Sequence, residues 1–259
     1  MKKVVFFIFL LAVFGGASCG INLFSTKEEV KMGAEFAKEV EKQSKLYKGK
    51  EWNDYIAALG QKIASISDRQ NILYHFSIID DSATVNAFAL PGGYVYIYTG
   101  LLSRAENKAE VVGVLAHEVG HIVAKHGVER LSAMYGYQFI IALALGKNPN
   151  QTKAVIADVL GGVGMLQYGQ KNEFEADQLG LKYLYALGYD PHTLVSFFEK
   201  LESINSRSPN KIEKFLSTHP QTSDRIKRID QQIAVLPSKQ NQQLNTEYYI
   251  LMRQKLYQK

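Results

Sequence analysis

The sequence predicts an α+β fold, mostly helical, with a small antiparallel sheet beside one buried helix. Three observations predict it. A strand-turn-strand pattern is centred on Pro91-Gly92-Gly93, Ala109 to Ala124 is apolar with helical spacing and little polar face, and amphipathic helical patterning fills most of the remainder. With 46% hydrophobic and 21% charged residues, the composition of the 259-residue chain excludes a disordered or fibrous protein.

The elements follow in order. Met1-Lys2-Lys3 is a basic start, and Val4 to Phe14 is an unbroken apolar run of eleven residues. As a helix that run rises about 16 Å, too short for a hydrocarbon core of about 30 Å, so it reads as an export signal and not as a membrane span. Gly15, Gly16, Ala17 and Ser18 lead to the single cysteine, Cys19, in a pattern that resembles a lipobox. Residues 1–18 are therefore expected to be a lipoprotein-type signal peptide, with Cys19 acylated as the new N-terminus. Gly20 in place of Asp resembles the residue that sends such lipoproteins to the outer membrane. The expected setting is a periplasm-facing lipoprotein at the outer membrane.

Ser25 to Glu28 matches a capping box, so a charged amphipathic helix starts there and runs to about Tyr47. A second runs from about Trp52 to Ile66. Ile72 to Ile79 alternates and carries β-formers, and Thr84–Leu90 and Tyr94–Tyr98 flank the Pro-Gly-Gly turn as a hairpin. From Leu101 the pattern is helical, broken near Lys147–Asn150 and at Gly188–Pro191. The apolar run Phe139–Leu145 is too short to span a membrane. It and Val155–Leu166 read as helices of the core or the cleft wall. One domain, residues 19–237, is expected, followed by a polar, Gln-rich tail over 238–259 whose Tyr248–Leu251 can dock back. Without Lys2 and Lys3 the chain carries 28 basic against 25 acidic residues and no basic block, so no nucleic-acid partner is indicated.

The chemistry is carried by His117-Glu118-Val119-Gly120-His121. In a helix, positions i and i+4 share a face one turn apart, so both imidazoles can reach one metal ion. Zinc takes His nitrogens, needs a third protein ligand and leaves a fourth position for water, beside which Glu118 can accept a proton. The third ligand is sought in Asn172-Glu173-Phe174-Glu175-Ala176-Asp177, on a later helix. Glu173 and Asp177 are again i and i+4, so one can bind the metal while the other accepts the outer N–H of a ligating imidazole. By spacing alone, Glu175 or Asp177 serves as well as Glu173. His126 is expected on a different helix face from His121, in a structural role, and His75 and His192 are expected at the surface or satisfied in the core.

HExxH followed by Glu-x-x-Ala-Asp resembles the HtpX and CAAX-prenyl-protease family of zinc endopeptidases. The periplasmic LoiP/BepA-type and Oma-type branches look most similar. The residues that carry the resemblance are Asn86–Gly93, His117–His121 with Lys125-His126-Gly127, Glu173–Asp177, and Thr218-His219-Pro220 with Arg225. It implies a compact gluzincin-like domain and one zinc ion per chain, held by His117, His121 and Glu173. It further implies Glu118 as catalytic base and Asp177 as the outer partner of a ligand. The strand Asn86, Ala87, Phe88 is expected to pair with extended substrate. His219 is expected to occupy or guard the fourth metal position, or to stabilise the oxyanion. Arg225 either contacts this group or is a solvated helix charge. The expected activity is hydrolysis of internal peptide bonds in misfolded or damaged envelope proteins. The rival is a chaperone-like protein that holds clients, its zinc site latent.

Overall fold

The computed structural model describes residues 25–136, 141–142, 145–161, 168–207, 219–220, 223–237 and 242–257. The signal segment, Cys19 and its lipidation, Thr218, and residues 139–140, 143–144 and 162–166 of the apolar runs at 139–145 and 155–166 lie outside the described residues.

The first helix, α1 (Thr26–Gln43), opens on the expected capping box, in which the Ser25 hydroxyl accepts from Glu28 N and the Glu28 carboxylate accepts from Ser25 N. α2 (Lys50–Ile66) follows, then the strands β1 (His75–Ile79), β2 (Ala87–Leu90) and β3 (Tyr94–Tyr98). The sheet differs from the antiparallel one expected. β3 lies in the middle, antiparallel to β2 across the hairpin but parallel to β1, so the sheet is mixed. The link from β1 to β2, turned by Asp81 through hydrogen bonds to Ala83 N and Thr84 N, sends β2 to the far side of β3. Gly92 and Gly93, at φ 80° and 106°, take the left-handed conformations that close the turn.

Both faces of the sheet are covered. Ala87, Ala89, Val95 and Ile97 point into a core shared with α2 and the central helix, α4 (Lys108–Val123). Their neighbours Phe88, Leu90, Tyr96 and Tyr98 pack with Met32, Phe36 and Val40 of α1. The side-chain alternation of a strand thus feeds two apolar cores.

The short α3 (Thr99–Arg104) leads into α4, where the Asn107 side chain caps the start by accepting from Glu110 N at 2.9 Å. Every α4 residue from Lys108 to Ile122 is buried. The remaining helices are α5 (His126–Tyr135), α6 (Pro149–Gly161), α7 (Gln170–Ala186), α8 (His192–Arg207), α9 (Ser223–Ala234) and α10 (Glu247–Tyr257). The last docks through buried Tyr249 and Met252, with Tyr249 OH donating to Ala105 O and Trp52 Nε1 to Met252 O. Among the described residues no helix is long and apolar enough to cross a membrane.

A buried ion pair ties the N-terminal helix to the rest. Arg69 makes two 2.8 Å hydrogen bonds to Glu29 and a third, 2.9 Å, to the Ile122 carbonyl at the end of α4, while Glu29 accepts from Gly92 N at 3.1 Å. One carboxylate and one guanidinium thereby join α1, the hairpin turn and the end of α4.

Candidate metal centre

α4 and α7 meet more closely than side chains of ordinary size allow. A Cβ on Gly120 would stand 2.9 Å from the Ala176 carbonyl oxygen, and one on Gly180 would stand 3.1 Å from His117 N. Two glycines, one on each helix, let the backbones touch and bring Glu173 under the two histidines.

Four donor atoms converge there. His117 Nε2 lies 3.0 Å from His121 Nε2, and Glu173 lies 3.3 Å from His121 Nε2 and 3.6 Å from His117 Nε2. His219 Nδ1 lies 3.1 Å from Glu173 Oε1 and 3.3 Å from His117 Nε2. All four residues are buried. A tetrahedral centre with bonds of about 2.0–2.1 Å holds its donors roughly 3.3 Å apart, which is the spacing seen. Three imidazole nitrogens and a carboxylate turned toward one point in a buried site fit a metal ion.

The surrounding groups fix these donors. The outer nitrogen of His117, Nδ1, is 3.0 Å from Asp177 Oδ1, although off the direction of its N–H. Arg225, fully buried, gives two 2.7 Å hydrogen bonds to Asp177, lies 2.7 Å from Glu173 Oε2 and donates to the Pro220 carbonyl. Its single positive charge is shared between two carboxylates, and it also tethers the segment that carries His219. Burial acts to raise the Glu173 carboxyl, but the charges of His219 and Arg225 and hydrogen bonds from His121 and His219 hold it well below the usual carboxylate range. Burial pushes His121 well below its ordinary value, which keeps it in the neutral form that a metal ligand requires.

Glu118 is fully buried, and neither oxygen makes a well-aligned hydrogen bond among the described residues. Burial lifts its carboxyl above the ordinary value against the pull of His219 and His117. His219 Nε2 lies 3.4 Å from its Oε1.

The geometry separates the acidic residues that spacing left equivalent. Glu173 joins the cluster, Asp177 sits behind His117, and Glu175 turns outward with its side chain half exposed. Asn86 precedes β2, its carbonyl accepting from Tyr98 N, and Ala87 and Phe88 begin this edge strand, which packs along α4. Arg225 is part of the site and no solvated charge. His75 and His192 are exposed, as expected.

Two residues escaped the sequence reading. His126, expected on another face, has its Nδ1 3.0 Å from His121 Nδ1. Helix α4 ends at Val123, and Lys125 adopts φ 58°, ψ 28°, so the chain turns back and helical spacing no longer applies between 121 and 126. Tyr168 stacks on His121, ring centroids 3.9 Å apart, its buried hydroxyl without a hydrogen-bond partner among the described residues. As one tyrosine among fifteen it carried no signal in the sequence.

The family model described as Peptidase family M48 matches residues 51–233. The Beta-barrel assembly-enhancing protease of Escherichia coli (strain K12) is 28% identical over 221 residues, covering 82% of this chain and 45% of that protein. The Mitochondrial metalloendopeptidase OMA1 of Schizosaccharomyces pombe is 29% identical over 178 residues, 68% of this chain and 52% of that one. Metalloprotease YcaL of Escherichia coli (strain K12) is 28% identical over 156 residues, with 59% and 60% covered. The chain thus spans about half the length of the curated relatives it matches. The matched stretch takes in α4, α7 and the His219 segment together, and the chain belongs to Peptidase family M48, a family of metalloproteases.

Proposed function

We propose that the chain is a zinc-dependent metalloendopeptidase that hydrolyses internal peptide bonds of misfolded or damaged cell-envelope proteins. The observation that carries this reading is the buried donor set of His117, His121 and Glu173 with the Glu118 carboxylate beside it. In this reading those three residues hold one zinc ion per chain, which supplies Lewis acidity toward the scissile carbonyl and acidifies water. Glu118 accepts the proton of the attacking water and passes it to the leaving nitrogen. A carboxyl raised by burial suits both halves of that transfer. Asp177 orients His117, and Arg225 holds Asp177 and Glu173 in place.

Substrate is held by the edge strand β2, from Asn86 through Ala87 and Phe88. Main-chain pairing with an extended peptide gives affinity with little sequence demand, which suits unfolded clients. Phe88 is buried against Tyr96, so the strand offers backbone in preference to side chain. His219 supplies the fourth donor position that a catalytic site would leave to water, so in this reading the arrangement is a resting state that opens when the His219–Pro220 segment withdraws. The relatives named as β-barrel assembly-enhancing proteases and the signal-like segment ending at Cys19 support a periplasm-facing lipoprotein at the outer membrane.

One observation favours a second reading. Four protein donors are the mark of a structural zinc site, and His219 makes the fourth, as a chaperone-like client-binding protein with a latent centre would have it. The test is zinc content and casein cleavage of the purified chain beside Glu118→Gln. The peptidase reading expects about one zinc per chain in both, with Glu118→Gln losing about 10²–10⁴-fold in rate. Zinc in both without cleavage by either, even after His219→Ala, would establish the binding-protein reading. Absence of zinc under metal-replete conditions would overturn both.

A further inference from the structure

His121 faces the donor cluster with Nε2, 3.0 Å from His117 Nε2 and 3.3 Å from Glu173 Oε1. Its other nitrogen, Nδ1, meets Nδ1 of His126 at 3.0 Å in a buried contact, and Nε2 of His126 lies 3.4 Å from Glu175 Oε2. Two facing ring nitrogens form a hydrogen bond only if one carries the proton and the other does not. A neutral imidazole that binds a metal through Nε2 must carry its proton on Nδ1. The metal reading therefore fixes the whole chain of protons. His121 Nδ1–H donates to a bare His126 Nδ1, His126 must then carry its proton on Nε2, and that N–H points at the Glu175 carboxylate.

We propose that His126 is a positioning residue for the metal centre. Resting on the zinc reading above, it sets the tautomer and ring orientation of His121, and Glu175 at the protein surface in turn sets its own. Two features support the assignment independently of any metal. Lys125, directly before His126, is the one non-glycine residue with positive φ among those described, and that left-handed residue is what folds His126 back onto His121. Glu175 and Glu173 are neighbours on α7 with opposite exposures, so a single helical turn supplies both the buried donor and the outer end of the chain. His117 has Asp177 behind it and His121 has His126, so each imidazole of the HExxH pair has an outer partner, one from α7 and one from α5.

The test compares zinc affinity, by competition with a chromogenic chelator, for the unaltered chain, His126→Leu and His126→Asn. Leucine keeps the volume and removes the acceptor. Asparagine loses volume, but its Oδ1 stands where Nδ1 was. His126→Leu should bind zinc about 10–100-fold more weakly, and His126→Asn should recover most of that loss. Equal affinity of His126→Leu and the unaltered chain would overturn the proposal. So would equal losses in the two variants, which would mark a packing effect. If His126→Leu fails to fold, ¹⁵N–¹H correlation spectra of the zinc-loaded unaltered chain decide the matter. The proton of His126 should be on Nε2, and finding it on Nδ1 would overturn the assignment. An unaltered chain that takes up no zinc would instead overturn the metal reading on which the proposal rests.

Discussion

One imidazole touches both ends of the proposed reaction centre: His219 Nε2 lies 3.4 Å from Glu118 Oε1, and its Nδ1 lies 3.1 Å from Glu173 Oε1. The proposed base and a proposed metal ligand are thus bridged by a residue from a distant segment, and that segment is pinned by Arg225 through the Pro220 carbonyl at 3.1 Å.

Removing this bridge should open the site. If the His219 contacts favour the closed arrangement by about 1.4 kcal/mol, His219→Ala raises the open fraction about tenfold. Casein cleavage should rise with zinc retained. A rate below that of the unaltered chain, with zinc still bound, would assign His219 to turnover instead of to latency.

Gly120→Ala should separate α4 from α7. The new methyl would stand 2.9 Å from the Ala176 carbonyl oxygen and 3.2 Å from its Cα, both backbone atoms that cannot swing aside. Overpacking of this kind costs about 1–3 kcal/mol. Because the same helices carry His117, His121 and Glu173, zinc affinity should fall together with the melting temperature. Calorimetry and metal titration on one preparation would show whether the two losses travel together.

Arg225 should govern acid stability of the metal-free chain. Burial acts to raise Asp177 and Glu173, but Arg225 with His117 outweighs it at Asp177, and His219, Arg225 and His121 together outweigh it at Glu173, so both carboxyls titrate below their ordinary range. Folded values below the unfolded ones, about 3.9 and 4.3, mean that the unfolded chain binds protons first as pH falls. The stabilisation is therefore present above about pH 4 and lost as pH drops through the folded values. Arg225→Met leaves the two carboxylates buried without their cation, and the acid unfolding midpoint should move upward. An unmoved midpoint would show that the neighbouring histidines, and not Arg225, supply the effect.

The Glu29–Arg69 pair should be costly to break singly and cheaper to replace whole. Glu29→Gln or Arg69→Met should each destabilise by about 3–5 kcal/mol, since each leaves an uncompensated buried charge. The double replacement Glu29→Leu with Arg69→Met should recover part of that loss, although Gly92 N and the Ile122 carbonyl lose partners. Chemical denaturation of the three variants separates these outcomes.

Features governed by one helix or one turn could be read from the sequence. The capping box at Ser25, the Pro-Gly-Gly hairpin and the HExxH pair depend on the 3.6-residue and two-residue periods and on glycine at positive φ, all written locally in the chain. Spacing also brought Glu173 and Asp177 forward as a pair, i and i+4 on one helix face, with Glu175 between them as a further acidic candidate. It could not choose among them, since the rotation of α7 against α4 is fixed by packing at Gly120 and Gly180.

By itself, then, the sequence determined the helical α+β class, the HExxH helix and the short list of its partners. Tertiary structure decided the strand order that makes the sheet mixed, the selection of Glu173, the burial of Arg225 against Asp177, and the return of His126 to His121. The physical reason is common to all four. Each joins residues across a loop or a left-handed turn, where the periodicity that relates neighbours along one element is broken and only the packing of whole elements sets the distance.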